Sequence, residues 1–356
     1  MKHVLSLLAL GLALSFASCG DSNNKKNERP GMPPEKPAPE SPKQIGLGIV
    51  HDNIAFENDP NRSYSIYLPK GMLAKQRYPV LYCIDPHGRG EQPLLQYRDL
   101  ADSLNIILVG SNTSKNGMSL DASKTEMDLL ISEIQRRYPV ESTIRLLGFS
   151  GGAKVAFYYA DANPNVSQII YSGAIYPMKR QSNISILGIA GKRDMNFTDL
   201  VSFDVSLGKA PFMHEIIEWD GKHEFPNQAA MYDGFYFLMN DSVENYYEKR
   251  PNISPEEVMS EQLLKKKFYQ SYGTKDLEWW KKEIAFLHEE ATKDVKYERI
   301  LGFIGLGCYS YTEQAIKMGD VQKADYLVQI YLAATPDNED AKRFAKKVEE
   351  MKKMRQ

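Results

Sequence analysis

Apolar and polar positions change rhythm several times along this 356-residue chain. Val4 to Ala17 is almost wholly apolar. From about Gly46 to Asn240, short apolar runs alternate with stretches of helical period. Ser63 to Leu68 (SYSIYL) alternates with period two, and Tyr78 to Ile84 (YPVLYCI) is the continuous run that a strand buried on both faces requires. Ile106–Gly110, Ile144–Leu147, Ser167–Tyr171, Ile184–Ile189 and His214–Trp219 read as further strands. Helices are predicted over Leu94–Leu104, Met127–Tyr138, Ala153–Ala162, Thr198–Gly208 and Asn227–Met239; in the second of these, Leu129, Leu130, Ile131 and Ile134 share a face. Strands alternating with helices predict an α/β domain over residues 45–243, a mostly parallel sheet covered on both faces. In such sheets ligands bind outside the carboxyl ends of the strands.

Past Asn240 no strand-like run appears. Ser254-Pro255-Glu256-Glu257 is a helix start, with Ser at the cap, Pro at the first position and Glu at the third. Helical stretches near 255–271, 276–292, 296–318, 321–334 and 337–354 make residues 244–356 an all-α segment, an array of helical hairpins. Gly319, Ala324 and Pro336 have offsets that resemble one tetratricopeptide repeat, although Thr312 replaces the usual Gly and Tyr331 sits where a small residue is expected. A plain helical appendage reads the same residues equally well. Packing on the α/β domain, self-association and binding of a protein partner all remain open for it.

The apolar N-terminal run follows Met1-Lys2-His3, has the length of a signal-peptide core, and is too short to span a bilayer easily. Phe16-Ala17-Ser18-Cys19 then resembles a bacterial lipoprotein signal, with Phe16 in place of the more usual Leu. The resemblance makes residues 1–19 a lipoprotein signal peptide with its lipobox and implies cleavage before Cys19 and lipidation of its thiol, which would tether the protein to a membrane of the cell envelope. An ordinary secretory signal is the alternative. Residues 20–44 carry Pro30, Pro33, Pro34, Pro37, Pro39 and Pro42 among Asn, Lys and Glu, so they offer no apolar face to bury and are expected to form a disordered spacer.

Composition narrows the classes further. Lys and Arg number 44 against 46 Asp and Glu, so no net positive field favours nucleic acid. With Cys19 lipidated, only Cys83 and Cys308 remain; both lie in apolar surroundings and read as buried thiols, and no spacing of ligand residues suggests a metal.

Gly148-Phe149-Ser150-Gly151-Gly152 follows a predicted strand and opens a predicted helix. This G-x-S-x-G turn raises a serine hydroxyl above the sheet, and its flanking positions must be small because strand and helix nearly touch there. Ser150 is therefore the candidate nucleophile, and a serine hydroxyl needs a base. Among six histidines, His3 is in the signal, His51 at the domain edge, His87 before the serine, His288 in the appendage and His214 inside a strand. His223 remains, in a loop after the last strand. The acid that orients it should follow the preceding strand, where Gly191 to Asn196 offers Asp194, with Asp199 as the runner-up. Oxyanion donors are expected from the Gly151 N–H and from the loop Asp85-Pro86-His87-Gly88-Arg89-Gly90, an HGxG motif, with the Arg89 N–H preferred and Gly88 or Gly90 as alternatives. His87 reads as a structural hydrogen-bonder.

These four motifs together resemble the α/β-hydrolase superfamily, in the style of secreted esterases such as the dienelactone-hydrolase-like, feruloyl-esterase-like and polyhydroxyalkanoate-depolymerase-like members. The resemblance spans about residues 46 to 240 and implies a Ser–His–Asp hydrolase that needs no cofactor. The short spacings from Ser150 to Asp194 and from Asp194 to His223 leave no room for a large inserted lid, so an open site is expected, with Asn112–Gly117 and Tyr176–Met178 as its rims or as ordinary surface loops. The resemblance gives no substrate; the reading taken is an esterase, for example one acting on acyl groups linked to carbohydrate. Two rivals stand beside it: a peptidase of the prolyl-oligopeptidase kind, and a non-catalytic binding lipoprotein whose helical segment is its working part.

Overall fold

The computed structural model describes residues 45–73, 76–179, 183–208 and 210–354. The expected signal, Cys19 and the spacer to residue 44 lie outside them. The chain runs β1 (Val50–Ala55), β2 (Ser63–Tyr67), β3 (Val80–Ile84), α1 (Glu91–Leu104), β4 (Ile107–Ser111), α2 (Leu120–Arg137), β5 (Ile144–Phe149), α3 (Gly151–Ala162), β6 (Val166–Ser172), β7 (Ser185–Gly191), α4 (Phe197–Leu207), β8 (Met213–Trp219) and α5 (Gln228–Asn240). A short α6 (Tyr246–Lys249) leads to α7 (Pro255–Ser271), α8 (Leu277–Ala291), α9 (Val295–Lys317), α10 (Val321–Ala334) and α11 (Glu339–Lys353).

The sheet order is β1-β2-β4-β3-β5-β6-β7-β8. β2 is antiparallel to β1 and β4, while β3 to β8 are parallel. From β3 the chain builds outward to β4 on one side and then crosses to β5 on the other. That reversal leaves a crevice at the carboxyl ends of β3 and β5.

Side-chain alternation divides the core in two. Val80, Tyr82 and Ile84 of β3 pack with α2, α3 and α4 on one face. Leu81 and Cys83 pack with α1 and α5 on the other. Burial on both faces is what the unbroken apolar run in β3 required. The helices α7 to α11 have a third core of their own around Phe268, Trp280, Ile304, Leu327 and Phe344.

Two elements were not legible in the hydropathy pattern. β1 is an edge strand carrying His51, Asp52 and Asn53, with a register shift between His51 and Ile54 and Asn53 at φ 54°, so its alternation is broken by a bulge. α6 is one turn of Tyr-Tyr-Glu-Lys with no buried residue. α2 also begins earlier than its apolar stripe, because Ser119 caps it by accepting from the Ala122 N–H and the first two turns are polar. Tyr78 lies outside β3 and makes an isolated bridge with Val140.

Candidate active site

Ser150 sits between β5 and α3 at φ 52° and ψ −120°, a backbone conformation that L-residues rarely hold. Its neighbours must be glycine for lack of space. A Cβ on Gly148 would lie 2.5 Å from the Ala153 Cα, and one on Gly152 would lie 1.9 Å from the Ile84 carbonyl oxygen. The turn is fixed further by the Ser150 N–H donating to the Ser172 carbonyl at 2.8 Å.

His223 comes from the loop after β8. Its Nε2 lies 3.0 Å from the Ser150 Oγ, and its Nδ1 lies 3.0 Å from both carboxylate oxygens of Asp194. Asp194 is only 2% exposed and follows β7. Its Oδ1 also accepts from the Asn196 N–H at 2.8 Å, and Asn196 in turn donates from Nδ2 to the Gly173 carbonyl at 2.6 Å. The acid loop and the base loop are laced together by their backbones. Lys192 N–H donates to the Trp219 carbonyl and Arg193 N–H to the Gly221 carbonyl, both at 2.9 Å. Gly191 permits this approach, since a Cβ there would meet the Gly221 carbonyl at 2.7 Å. Phe149 stacks against the His223 ring at 4.9 Å between centroids, and Gly173, at φ 72°, leaves room for both rings. The structure thus brings Ser150, His223 and Asp194 into one hydrogen-bonded chain. Asp199 stands apart from it and pairs with Lys265 at 3.2 Å.

The HGxG loop corrects an expectation. The Arg89 N–H donates to Asp85 Oδ1 at 3.1 Å, the Gly88 N–H to the Asp85 carbonyl at 3.2 Å, and the Gly90 N–H to Asn112 Oδ1 at 3.0 Å. The Arg89 and Gly88 N–H groups are therefore engaged inside their own loop, and that of Gly90 with Asn112 of the loop after β4, rather than presented to Ser150. The physical reason is Asp85, whose buried carboxylate also accepts from the His87 N–H at 2.8 Å and folds the turn around itself. His87 Nδ1 meets the Arg89 guanidinium at 3.1 Å.

Gly151 opens α3, so its N–H has no carbonyl one turn back within the helix. Asn116 packs against the Gly151 Cα: a Cβ on Gly151 would lie 1.8 Å from Asn116 Oδ1 and 3.4 Å from its Nδ2. Asn116 belongs to the loop expected to form only a rim, and its backbone is held there by donating to the Pro86 carbonyl at 2.7 Å. No motif marks it; the one sequence cue is the missing side chain at position 151.

His214 is also defined more sharply. It bridges Asp204, at 2.8 Å from Nδ1, and the Gly208 carbonyl, at 3.2 Å from Nε2, remote from Ser150 on the outer strand. Among the described residues, no three His, Cys, Asp or Glu side chains converge as a metal site. A cavity of ≈ 620 Å³ opens at the other end of the sheet, beside Arg145, Gln168 and Ser185 near the strand starts, and does not reach Ser150.

A parallel sheet with an antiparallel second strand, reversed at β3 and carrying a strained serine between β5 and α3, is an α/β-hydrolase fold, here followed by C-terminal helices. No protein-family model matches the chain, and no curated protein matches its sequence. Solved structures do resemble it at low identity. The S-formylglutathione hydrolase FrmB of Staphylococcus aureus is 12% identical, with a TM-score of 0.43, covering 55% of this chain and 98% of its own. The fluorophosphonate-binding serine hydrolase FphF of the same organism is 13% identical, with a TM-score of 0.42, covering 55% and 100%. Est1E of Butyrivibrio proteoclasticus is 10% identical, with a TM-score of 0.40, covering 51% and 94%.

Proposed function

We propose that this protein is a serine hydrolase that cleaves a carboxylic ester through an acyl-enzyme. The observation that carries the reading is the chain Ser150 Oγ–His223 Nε2–Asp194, with 3.0 Å at each link. In the first step Ser150 Oγ attacks the ester carbonyl and His223 Nε2 takes the hydroxyl proton. Asp194 accepts from the Nδ1–H, holding the ring in the tautomer that leaves Nε2 free and stabilising its charged form. The tetrahedral intermediate collapses, the alcohol departs with the proton from His223, and water then releases the acid by the same route. Fixed donors must meet the oxyanion. In this reading they are the Gly151 N–H and the Nδ2 amide of Asn116, whose side chain packs beside Gly151. Acyl groups on extracellular carbohydrate suit an open site and an envelope protein. The same reading holds the protein to the membrane through a lipid on Cys19.

A fluorophosphonate probe tests the nucleophile. The folded protein should label at one site, and Ser150→Ala should abolish both labelling and turnover. Unlabelled folded protein, or labelling that survives Ser150→Ala, would overturn the assignment. A panel of acyl esters, acylated sugars and peptide amides then reads the bond: faster amide than ester cleavage would favour a peptidase instead.

A further inference from the structure

The helices α7 and α9 do not merely follow the hydrolase domain; they grip the loop that carries Asp194. Arg299 of α9 donates from Nη1 to the Lys192 carbonyl at 2.9 Å, two residues before Asp194. Its guanidinium also lies over the Phe197 ring at 5.0 Å, and Phe197 donates its own N–H to the Asp194 carbonyl at 2.9 Å. Arg299 is held in turn by Glu261 of α7, Nε to Oε2 at 2.8 Å. The second oxygen of Glu261 accepts from the Thr198 hydroxyl at 2.8 Å and meets Lys265 at 3.1 Å. Lys265 reaches Thr198 and Asp199, each at 3.2 Å. Met195 packs on the same face of α9, where a Cβ on Gly302 would meet its Cβ at 3.5 Å. Beside the base, Lys222 pairs with Glu298 of α9 at 2.9 Å.

This network is buried: Glu261 is 0% exposed and Arg299 5%. A buried ion pair is weak evidence for added stability, because desolvation cancels much of its attraction. What the forked guanidinium does supply is direction, since it fixes a carboxylate and a carbonyl together in one plane. Here that carbonyl belongs to the acid loop. Asp194 must lie within a fraction of an ångström of its place to hold the His223 ring toward Ser150.

We propose that the C-terminal helices are a clamp on the acid and base loops, in which Arg299 and Glu261 are positioning residues for Asp194. The proposal rests on the Ser150–His223–Asp194 reading above. It is tested on the full chain with the double variant Glu261→Gln/Arg299→Met, which removes both charges together and leaves neither stranded. On an ester that the wild type cleaves, kcat should fall about ten- to a hundredfold, the scale of a small misplacement of a catalytic group, while KM stays within about twofold. Arg299→Lys keeps a charge for Glu261 but loses the fork to the Lys192 carbonyl, and should fall between wild type and the double variant. Lys352→Ala, which breaks an ion pair between α10 and α11, serves as the control and should leave kcat unchanged. A folded double variant with wild-type kcat, or with a change in KM alone, overturns the clamp. So does wild-type kcat in Arg299→Lys, which decides the matter if the double variant does not fold. A wild type that neither labels nor turns over would instead strike the serine-hydrolase reading itself.

Discussion

At the scale of single residues, the catalytic assignments differ in how they could be found. Ser150 is written locally, because a strained turn needs Gly148 and Gly152 at fixed offsets. His223 and Asp194 follow from strand order, since the loops after β7 and β8 meet at one edge of the sheet. An HGxG pattern does not say which way its amides turn: the Arg89 N–H turns to the Asp85 carboxylate and the Gly90 N–H to Asn112. Asn116 carries no motif, and only the packed structure sets it against Gly151. If its carboxamide is the second oxyanion donor, Asn116→Ala should lower kcat about 10²–10³-fold with little change in KM. Steady-state kinetics on a cleaved ester would check this, and an unchanged kcat would remove Asn116 from the mechanism.

Among the elements, periodicity located every helix with a strong apolar stripe, and it failed where the stripe was interrupted or absent. β1 hides behind a bulge and α6 behind exposure. The start of α7 was legible because a capping box is local: Glu257 N–H donates to Ser254 Oγ at 3.1 Å and Ser254 N–H to Glu257 Oε2 at 2.9 Å. Ser254→Ala should cost about 1 kcal/mol, read as a lower midpoint in urea unfolding. The two thiols sit inside elements, Cys83 in β3 and Cys308 in α9. Burial pushes the Cys308 thiol up to about 12 and the Cys83 thiol higher still. A raised thiol pKa keeps the nucleophilic thiolate scarce at ordinary pH. A form lacking residues 1–19 should therefore show almost no reaction with a disulfide reagent while folded, and two reactive thiols in guanidinium. Rapid modification of the native form would contradict the burial.

For the whole molecule, the proposed membrane tether and the proposed helical clamp sit at opposite ends of the sequence and are unequally legible. The proposed tether is read from a linear pattern: a positive start, an apolar run and a cysteine. If Cys19 bears the lipid, Cys19→Ser should move the protein from the membrane fraction to the soluble one, as fractionation and mass spectrometry of the N-terminal peptide would show. The described residues contain no helix long and apolar enough to cross a membrane. The clamp left no such trace. Glu261, Lys265 and Arg299 read as ordinary charged positions on helices, and nothing in their spacing points to residues 192–199. The amino-acid sequence by itself determined the alternation of strands and helices and the serine turn, because these depend on local periodicity, and it offered Ser150, His223 and Asp194 as candidates from the fixed order of a parallel sheet. Tertiary structure decided which amides face inward, that Asn116 covers Gly151, and that Arg299 holds the carbonyl of Lys192, 107 residues away. Each of those depends on where side chains distant in sequence come to rest in a close-packed interior, and no single stretch of sequence encodes that.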